Sequence, residues 1–198
     1  MLNLKRVLDI LISSAVLLVL MPLLVAVAIT ILMIDGRPIF FMQERPGLNR
    51  EIFNMIKFRT MKNLQDDVVQ EDKVRISKLG IFLRSFSIDE IPELFNVLLG
   101  HMSLVGPRPL LIEYLELYSD LQNRRHEVKP GVTGWAQING RNALEWEEKF
   151  KLDVWYVENQ SILLDLKILF KTVFSVISRK NISFDGEATM KKFNGNRE

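Results

Sequence analysis

The sequence predicts an α+β, mostly helical protein in two parts, and three observations support this. A 25-residue stretch without a charged side chain, Ile10–Ile34, predicts an N-terminal membrane segment within residues 1–36. Two strand-like runs around a turn signal predict a small β-hairpin. Helical periodicity in much of the remaining sequence predicts a compact helical domain over residues 37–198.

The composition excludes several kinds of chemistry. The 198 residues include no cysteine, so disulfides, thiolate metal sites and cysteine nucleophiles are excluded. The net charge of +2 is too small for a nucleic-acid-binding surface, so no nucleic-acid partner is expected, although contact with anionic lipid or phosphate is compatible with it. The two histidines, His101 and His126, lack the close spacing of a histidine metal site.

The uncharged stretch is interrupted by Pro22. A continuous helix over Ile10–Ile34 is about 37 Å long, which exceeds a hydrocarbon core of ~30 Å. Pro22 removes the N–H that would bond to the Leu18 carbonyl, so a kink or break is expected there, and each arm alone is too short to span. From these residues alone, a kinked span and a re-entrant hairpin are equally open. Both flanks are basic, as expected when both ends stay cytoplasmic: Lys5, Arg6, Arg37, Arg45, Arg50 and Lys57.

The predicted hairpin pairs PIFFMQE with IFNMIKFRTM around the turn signal RPGLN. This strand assignment places Lys57 on one face with Phe53, Met55 and Arg59.

Helices are predicted in five segments: ISKLGIFLRSF, residues 91–99 ending at Gly100, GPRPLLIEYLELY with Pro109 in its first turn, ALEWEEKFKLDVWYV, and SILLDLKILFKTVFSVISRK. The last has a broad apolar face, which suits an amphipathic helix in a lipid interface or an ordinary core helix. KPGVTGWAQINGRN is rich in glycine and predicts a loop with brief extended pieces. The tryptophans are interfacial anchors or core aromatics: Trp135, Trp146 and Trp155.

The candidate chemistry lies in RSFSIDEIPELFNVLLG. Asp89 and Glu90 precede Pro92, which is accepted in the first turn of a helix, so both carboxylates are expected at a positive helix end that favours their ionised forms. An ionised carboxylate there is a plausible nucleophile toward phosphorus, and the two can converge on a metal ion or phosphate. Alternatively, Ser87 and Glu90 form a capping box that only stabilises the helix.

Two arginines accompany the acidic pair. Arg84 lies about one turn upstream, and Arg108 stands between Pro107 and Pro109 after Gly106. Prolines on both sides restrict the backbone of Arg108, which suits its guanidinium to bidentate binding of phosphate. A surface arginine in a proline turn is the simpler alternative.

Several motifs resemble the bacterial sugar transferases, small monotopic phosphoglycosyl transferases that begin glycan assembly on a polyprenyl phosphate. They follow in order from Lys5 almost to the C-terminus: KRVLDI, QERPGLN, KFRTM, RSFSIDEIPELFNVL, MSLVGPRPLL, KPGVTGWAQINGRN, KFKLDVWYV and KKFNGN. The last motif, with SFDGEATM before it, is most similar to the diacetylbacillosamine-1-phosphate transferases of bacterial N-glycosylation.

The resemblance implies a reaction and a site. Asp89 would attack the phosphate next to the sugar of a UDP-sugar, release UMP, and hold the phosphosugar until undecaprenyl phosphate takes it. Mg²⁺ would be bound by Glu90 and Asp89, and the sugar would be N,N'-diacetylbacillosamine or a related N-acetyl amino sugar. Substrate-binding residues would be Lys57, Arg84, Arg108, Gln137, Arg141 and Asp153.

The resemblance also implies a location. The N-terminal helix would be re-entrant, with both of its ends on the cytoplasmic face of the bacterial inner membrane. The protein would contact membrane lipids, and a homodimer is possible. The family breaks this helix at a Ser-Pro pair, where this chain has Met21 and Pro22, and has aspartate where this chain has His101. Alternatives are another UDP-hexose for capsule or O-antigen synthesis, a catalytically silent membrane scaffold, and a single-span receptor.

Overall fold

The computed structural model describes residues 2–62, 75–140, 144–178 and 192–195. The helices are α1 (Leu2–Ile34), α2 (Lys78–Ser85), α3 (Glu93–Leu99), α4 (Asp120–Asn123), α5 (Trp135–Ile138), α6 (Trp146–Asn159) and α7 (Ile162–Ser178). The strands are β1 (Phe40–Pro46), β2 (Ile52–Phe58), β3 (Ser103–Val105) and β4 (Gly131–Thr133). The prediction of a mostly helical α+β fold is confirmed.

Helix α1 is continuous through Met21 and Pro22, so the alternative of a full break into two separate helices is wrong, whereas a kink at Pro22 stays a prediction. Proline removes one backbone hydrogen bond, and the leucine- and alanine-rich sequence on both sides favours helix strongly enough to continue it. Within the described residues, α1 supplies one helix, Leu4–Ile34, long and apolar enough to cross a membrane. The re-entrant path stays a prediction, as does the domain boundary at residue 36, which falls just after α1.

Both ends of α1 contact the domain that follows it. Near the start, Lys5 donates to the Val105 carbonyl at 3.1 Å. Beyond its end, the buried guanidinium of Arg59 donates to the carbonyls of Asp35 and Gly36, both at 2.6 Å. Between the two ends runs a buried stripe of Asp9, Ser13, Leu17, Leu24, Val27 and Ile31.

Strands β1 and β2 form the predicted antiparallel hairpin, with Phe41 opposite Lys57. Phe53 and Met55 are buried, and the two-residue period of a strand brings Lys57 to the same face. The fully buried amide of Asn96 joins α3 to this hairpin, because it accepts from Ile56 N at 3.0 Å and donates to the Asn54 carbonyl at 2.7 Å.

A second, parallel pair of strands, β3 and β4, was not predicted individually. The pair depends on close backbone approach: a Cβ on Gly131 would lie 2.1 Å from Gly106 N, and one on Gly106 would lie 2.3 Å from the Lys129 carbonyl. Only glycine fits at these two positions.

The helix predicted to start at Pro109 is wrong. The chain has no helix from residue 107 to 111, and only a 3-10 turn follows at Ile112–Tyr114. A proline in the first turn permits a helix without enforcing one, and here Leu110 and Leu111 pack against the aromatic cluster around Tyr114 in a non-helical conformation.

An aromatic cluster closes the other side of the domain. Trp146 and Phe150 on α6 pack against Tyr114, Tyr118 and Phe193. The Phe193 N–H donates to the Tyr114 hydroxyl at 3.2 Å, so residues 192–195 are docked on this cluster.

Candidate active site

Four separate segments bring charged side chains together. Lys57 lies near the end of β2, Asp89 and Glu90 lie in a 3-10 turn between α2 and α3, Glu93 begins α3, and Arg108 follows β3. Lys57, Glu90 and Arg108 each influence both Asp89 and Glu93 electrostatically. The structure therefore gathers three acids and two bases into one site.

The acidic turn differs from the predicted helix start. Asp89 and Glu90 occupy the 3-10 turn Ile88–Glu90, whereas Pro92 is the N-cap of α3. Ser87 has the left-handed φ of 55° and makes no side-chain capping bond, so the capping-box alternative is wrong. A non-glycine residue in this conformation is uncommon and often marks a functional turn.

Glu90 is held by two cations on one oxygen. Its Oε1 lies 2.5 Å from Nη2 of Arg108 and 2.7 Å from Nζ of Lys57. Burial alone would raise the pKa of Glu90, but the charges and hydrogen bonds of Arg108 and Lys57 outweigh it and hold that pKa well below its ordinary value. Glu90 is therefore ionised at any physiological pH.

Asp89 has different surroundings, although it is the adjacent residue. It is 8% exposed, and it makes no hydrogen bond or ion pair through its carboxylate with any residue that the structure describes. Burial, and secondarily the negative charge of Glu90, raises the pKa of Asp89 to about 6. The expectation that a helix end favours its ionised form is wrong, because desolvation dominates.

Sequence reasoning missed Glu93 and Arg45. Glu93 has a buried side chain with its Oε1 3.0 Å from Nζ of Lys57, and burial raises its pKa despite that contact. Arg45 comes from the QERPGLN turn, and burial together with the charge of Arg108 lowers its pKa to about 10. The available signal for Glu93 was its spacing of one helical turn from Asp89. The available signal for Arg45 was the conspicuous turn motif QERPGLN.

The backbone around Arg108 is fixed by hydrogen bonds. Gly131 N donates to the Pro107 carbonyl at 3.0 Å. Nη2 of Arg125 donates to the Arg108 carbonyl at 2.7 Å and also lies 2.7 Å from the Asp153 carboxylate. Asp153, predicted to bind substrate, is buried behind Arg108 in this pair, and direct contact with a substrate stays a prediction.

The other predicted substrate-binding residues are placed differently. Arg84 donates from Nε to the Thr60 hydroxyl at 3.0 Å, and its charge lowers the pKa of Asp89, so it borders the site. Gln137 donates to the Val132 carbonyl at 3.3 Å, beside the second sheet. Arg141 lies outside the described residues. The substrate roles of all three stay predictions.

The tryptophans separate into two kinds. Trp146 belongs to the buried aromatic cluster with Tyr114 and Phe150. Trp135 and Trp155 stack on each other at 4.8 Å, and Lys167 of α7 lies over the Trp135 ring. His101 is exposed and contacts the Phe53 ring at a centroid distance of 5.7 Å.

The donor set fits Mg²⁺ only if a substrate completes its coordination. Over the described ranges, no cluster of three or more acidic or histidine side chains is arranged to hold a metal ion. Asp89 lacks a cationic partner, and Glu90 keeps one oxygen clear of the Arg108 and Lys57 contacts. One or two carboxylates with substrate phosphates are the usual ligands of Mg²⁺ in phosphate-transfer sites.

An acidic pair surrounded by arginine and lysine is typical of enzymes that act on phosphate esters. A model of the bacterial sugar transferase family matches residues 1–179, so the chain belongs to that family. Membership confirms the prediction of a sugar-transferring enzyme.

Three relatives illustrate the similarity. The chain is 56% identical over 162 residues to an uncharacterized sugar transferase, EpsL, of Bacillus subtilis, covering 81% of this chain and 80% of that protein. It is 42% identical over 189 residues to a UDP-glucose:undecaprenyl-phosphate glucose-1-phosphate transferase of Klebsiella pneumoniae, covering 89% of this chain but 41% of the relative. It is 38% identical over 191 residues to the exopolysaccharide production protein ExoY of Sinorhizobium fredii, covering 87% and 84%. The chain thus spans less than half of the Klebsiella relative.

Proposed function

We propose that the protein transfers a sugar 1-phosphate from a UDP-sugar to undecaprenyl phosphate, with release of UMP. The observation that carries this proposal is the contrast between Asp89 and Glu90. Glu90 is neutralised by Arg108 and Lys57, whereas the carboxylate of Asp89 makes no hydrogen bond or ion pair with the described residues. Neighbouring carboxylates with different surroundings are suited to different roles.

In the first step, a carboxylate oxygen of Asp89 attacks the phosphorus that carries the sugar. The bond from this phosphorus to the oxygen of UMP breaks, and UMP leaves with the bonding electrons. The product is an acyl phosphate between Asp89 and the sugar. A pKa of about 6 leaves Asp89 largely ionised at neutral pH yet more basic than an ordinary aspartate, which favours nucleophilic attack.

In the second step, a phosphate oxygen of undecaprenyl phosphate attacks the same phosphorus. The acyl phosphate bond breaks and the Asp89 carboxylate is restored. Neither step requires a net proton transfer, so the basic residues act by stabilising charge. Arg108 and Lys57 are placed to do this, because both already bind the neighbouring Glu90.

Mg²⁺ is part of the proposal as a cofactor. Glu90 and Asp89 would hold it together with the pyrophosphate of the donor, and it would supply charge neutralisation there. Supporting this, Asp89 is a buried carboxylate whose pKa is raised by burial and by the charge of Glu90, more than the nearby cations lower it.

The donor sugar has two candidates, each with its own support. The names of several relatives specify UDP-glucose, which favours a UDP-hexose. The C-terminal KKFNGN motif favours UDP-N,N'-diacetylbacillosamine or a related N-acetyl amino sugar. Phe193 of this motif packs into the aromatic cluster beside Tyr118, so the described part of the motif, residues 192–195, belongs to the folded domain.

The proposed location is the cytoplasmic face of the bacterial inner membrane, with α1 entering and leaving on one side. Two structural features support it. Both ends of α1 contact the same domain, through Lys5 and through Asp35, as expected if both ends lie on one side of the membrane. Several large apolar side chains are exposed on α7, as lipid contact requires: Leu163, Leu166, Phe170, Val173 and Phe174. A homodimer stays a prediction.

The test is a UMP-release assay on the protein in lipid nanodiscs with Mg²⁺ and undecaprenyl phosphate. The donors are UDP-glucose, UDP-galactose, UDP-N-acetylglucosamine and UDP-N,N'-diacetylbacillosamine. We expect UMP and a lipid-linked sugar diphosphate from at least one donor, and none from Asp89→Asn. A catalytically silent scaffold predicts no UMP from any donor, and that result would refute the proposed reaction.

A further inference from the structure

A buried ion pair lies directly behind Arg108. Arg125 and Asp153 have side chains only 2% and 5% exposed, and Nη2 and Nε of Arg125 approach one oxygen of Asp153 at 2.7 and 3.2 Å. The Arg125 guanidinium also lies over the rings of Tyr118 and Phe150, at 5.8 and 5.7 Å from their centroids. The guanidinium is therefore confined on several sides.

Stability alone explains such a pair poorly. Moving two charges out of water is unfavourable, and a well-packed apolar pair in the same place is often equally stable. Arg125 makes one more contact, however, which an apolar pair would lose. Its Nη2 donates to the Arg108 carbonyl at 2.7 Å.

That contact completes the restraint of Arg108. Gly131 N holds the Pro107 carbonyl, and Arg125 holds the Arg108 carbonyl, so the peptide planes before and after the Arg108 Cα are both fixed. Two fixed planes determine φ and ψ, and these determine the direction of the Cα–Cβ bond. From this fixed starting direction, the side chain of Arg108 extends to Glu90, which its guanidinium contacts.

We propose that Arg125 is a positioning residue, held by Asp153, that aims Arg108 at the phosphate of the donor through the Arg108 backbone carbonyl. This inference rests on the proposed function, because it assumes that Arg108 binds a phosphate. A guanidinium suits the task, since its donors fork between a carboxylate and a carbonyl, whereas an ammonium is a single point charge.

The experiment compares Arg125→Lys with the neighbouring control Arg124→Lys. Arg124 is more exposed and pairs with Glu127 and Glu158 instead. Using the donor that the parent consumes fastest, we expect Arg125→Lys to lower kcat for UMP release on the order of 10-fold with little change in KM, because misdirected groups lose transition-state contacts. Arg124→Lys should retain the parental kcat.

Two further variants distinguish positioning from simple structural support. In an Arg108→Ala background, Arg125→Lys should cost no more than about twofold, because residues that act through one another are not additive. The double variant Arg125→Met/Asp153→Leu removes both buried charges and should keep the parental melting temperature, yet remain as impaired as Arg125→Lys.

The outcomes separate this inference from the function it rests on. Parental kcat in Arg125→Lys, additive losses with Arg108→Ala, or recovery of kcat in the double variant would each overturn the positioning role while leaving the transferase proposal intact. If the parent itself releases no UMP from any donor, the proposed function fails first, and the positioning role fails with it.

Discussion

Arg108 contacts Glu90 at 2.5 Å between Nη2 and Oε1. Lys57 approaches the same oxygen at 2.7 Å. Both cations are therefore directed at the second of the two adjacent acids, and Asp89 stays buried without such a contact. This division has consequences for stability, for metal dependence and for the reaction.

Removing the charge of Asp89 should stabilise the metal-free protein. A buried aspartate whose pKa is raised from 3.8 to about 6 is destabilising once it ionises, by roughly 3 kcal/mol. Both folded and unfolded forms are protonated below about pH 4, so the cost is absent there, appears as the pH rises toward 6 and is complete above it. Asp89→Asn should therefore melt several degrees higher than the parent at pH 7, but equally at pH 4.

The measurement is thermal unfolding in nanodiscs with a chelator present. Asp120→Asn, at an exposed acid on α4, is the control and should change the melting temperature little at either pH. A lower melting temperature for Asp89→Asn at pH 7 would contradict the assignment of Asp89 as an uncompensated buried acid.

Glu90 and Glu93 should differ in their effect on metal dependence. Glu90→Gln removes a proposed Mg²⁺ ligand and the partner of two cations, so we expect UMP release to fall by on the order of 10–100-fold or more. Glu93→Gln should have a smaller effect, because Glu93 is not a proposed metal ligand and glutamine keeps a side-chain oxygen for the contact with Lys57. Mg²⁺ titrations of both variants provide the comparison. Equal losses would argue against a distinct role for Glu90.

Asn96 should be essential for stability rather than for chemistry. Its amide bonds two backbone groups of β2, so Asn96→Ala leaves a partly buried N–H and a partly buried carbonyl without these partners, at a cost of roughly 1 kcal/mol each. Chemical denaturation measures the loss. Asn159→Ala, whose exposed side chain bonds only the carbonyl one turn earlier, is the matched control and should change stability far less.

Both ends of α1 should be accessible from the same side of the membrane. The chain has no cysteine, so single cysteines can be introduced without a background. We expect a cysteine placed after Met1, Arg37→Cys and Glu116→Cys to react with an impermeant maleimide in inverted vesicles and not in intact spheroplasts. Labelling of the first from the opposite side would establish a single span and contradict the re-entrant topology.

The sequence predicted the residues that meet in the site better than the residues that hold them in place. Asp89, Glu90 and Arg108 are singled out by local features, namely a proline after the acids and prolines on both sides of the arginine. Lys57 meets them because the hairpin places it on the same face of β2 as Phe53 and Met55. The two-residue period that determines this face is visible in the sequence. Glu93 and Arg45 were missed because the helical spacing of the first and the turn motif of the second do not reveal that the fold buries both beside the site.

The remaining errors have physical causes. Arg125 contacts Arg108 and Asp153, which lie 17 and 28 residues away in the sequence, and no local pattern predicts such contacts. The apolar spacing after Pro109 predicted a helix, but Leu110 and Leu111 instead pack against the aromatic cluster in a non-helical conformation. The continuity of α1 through Pro22 shows that one lost hydrogen bond does not outweigh long helix-forming flanks.

The most direct test of the central claim is the intact mass of the protein after incubation with Mg²⁺ and each UDP-sugar, without undecaprenyl phosphate. The account predicts stoichiometric UMP and a protein heavier by one sugar phosphate, with the added mass on the peptide that contains Asp89 and lost when undecaprenyl phosphate is added. UMP release without any adduct, or an adduct that persists in Asp89→Asn, would contradict it.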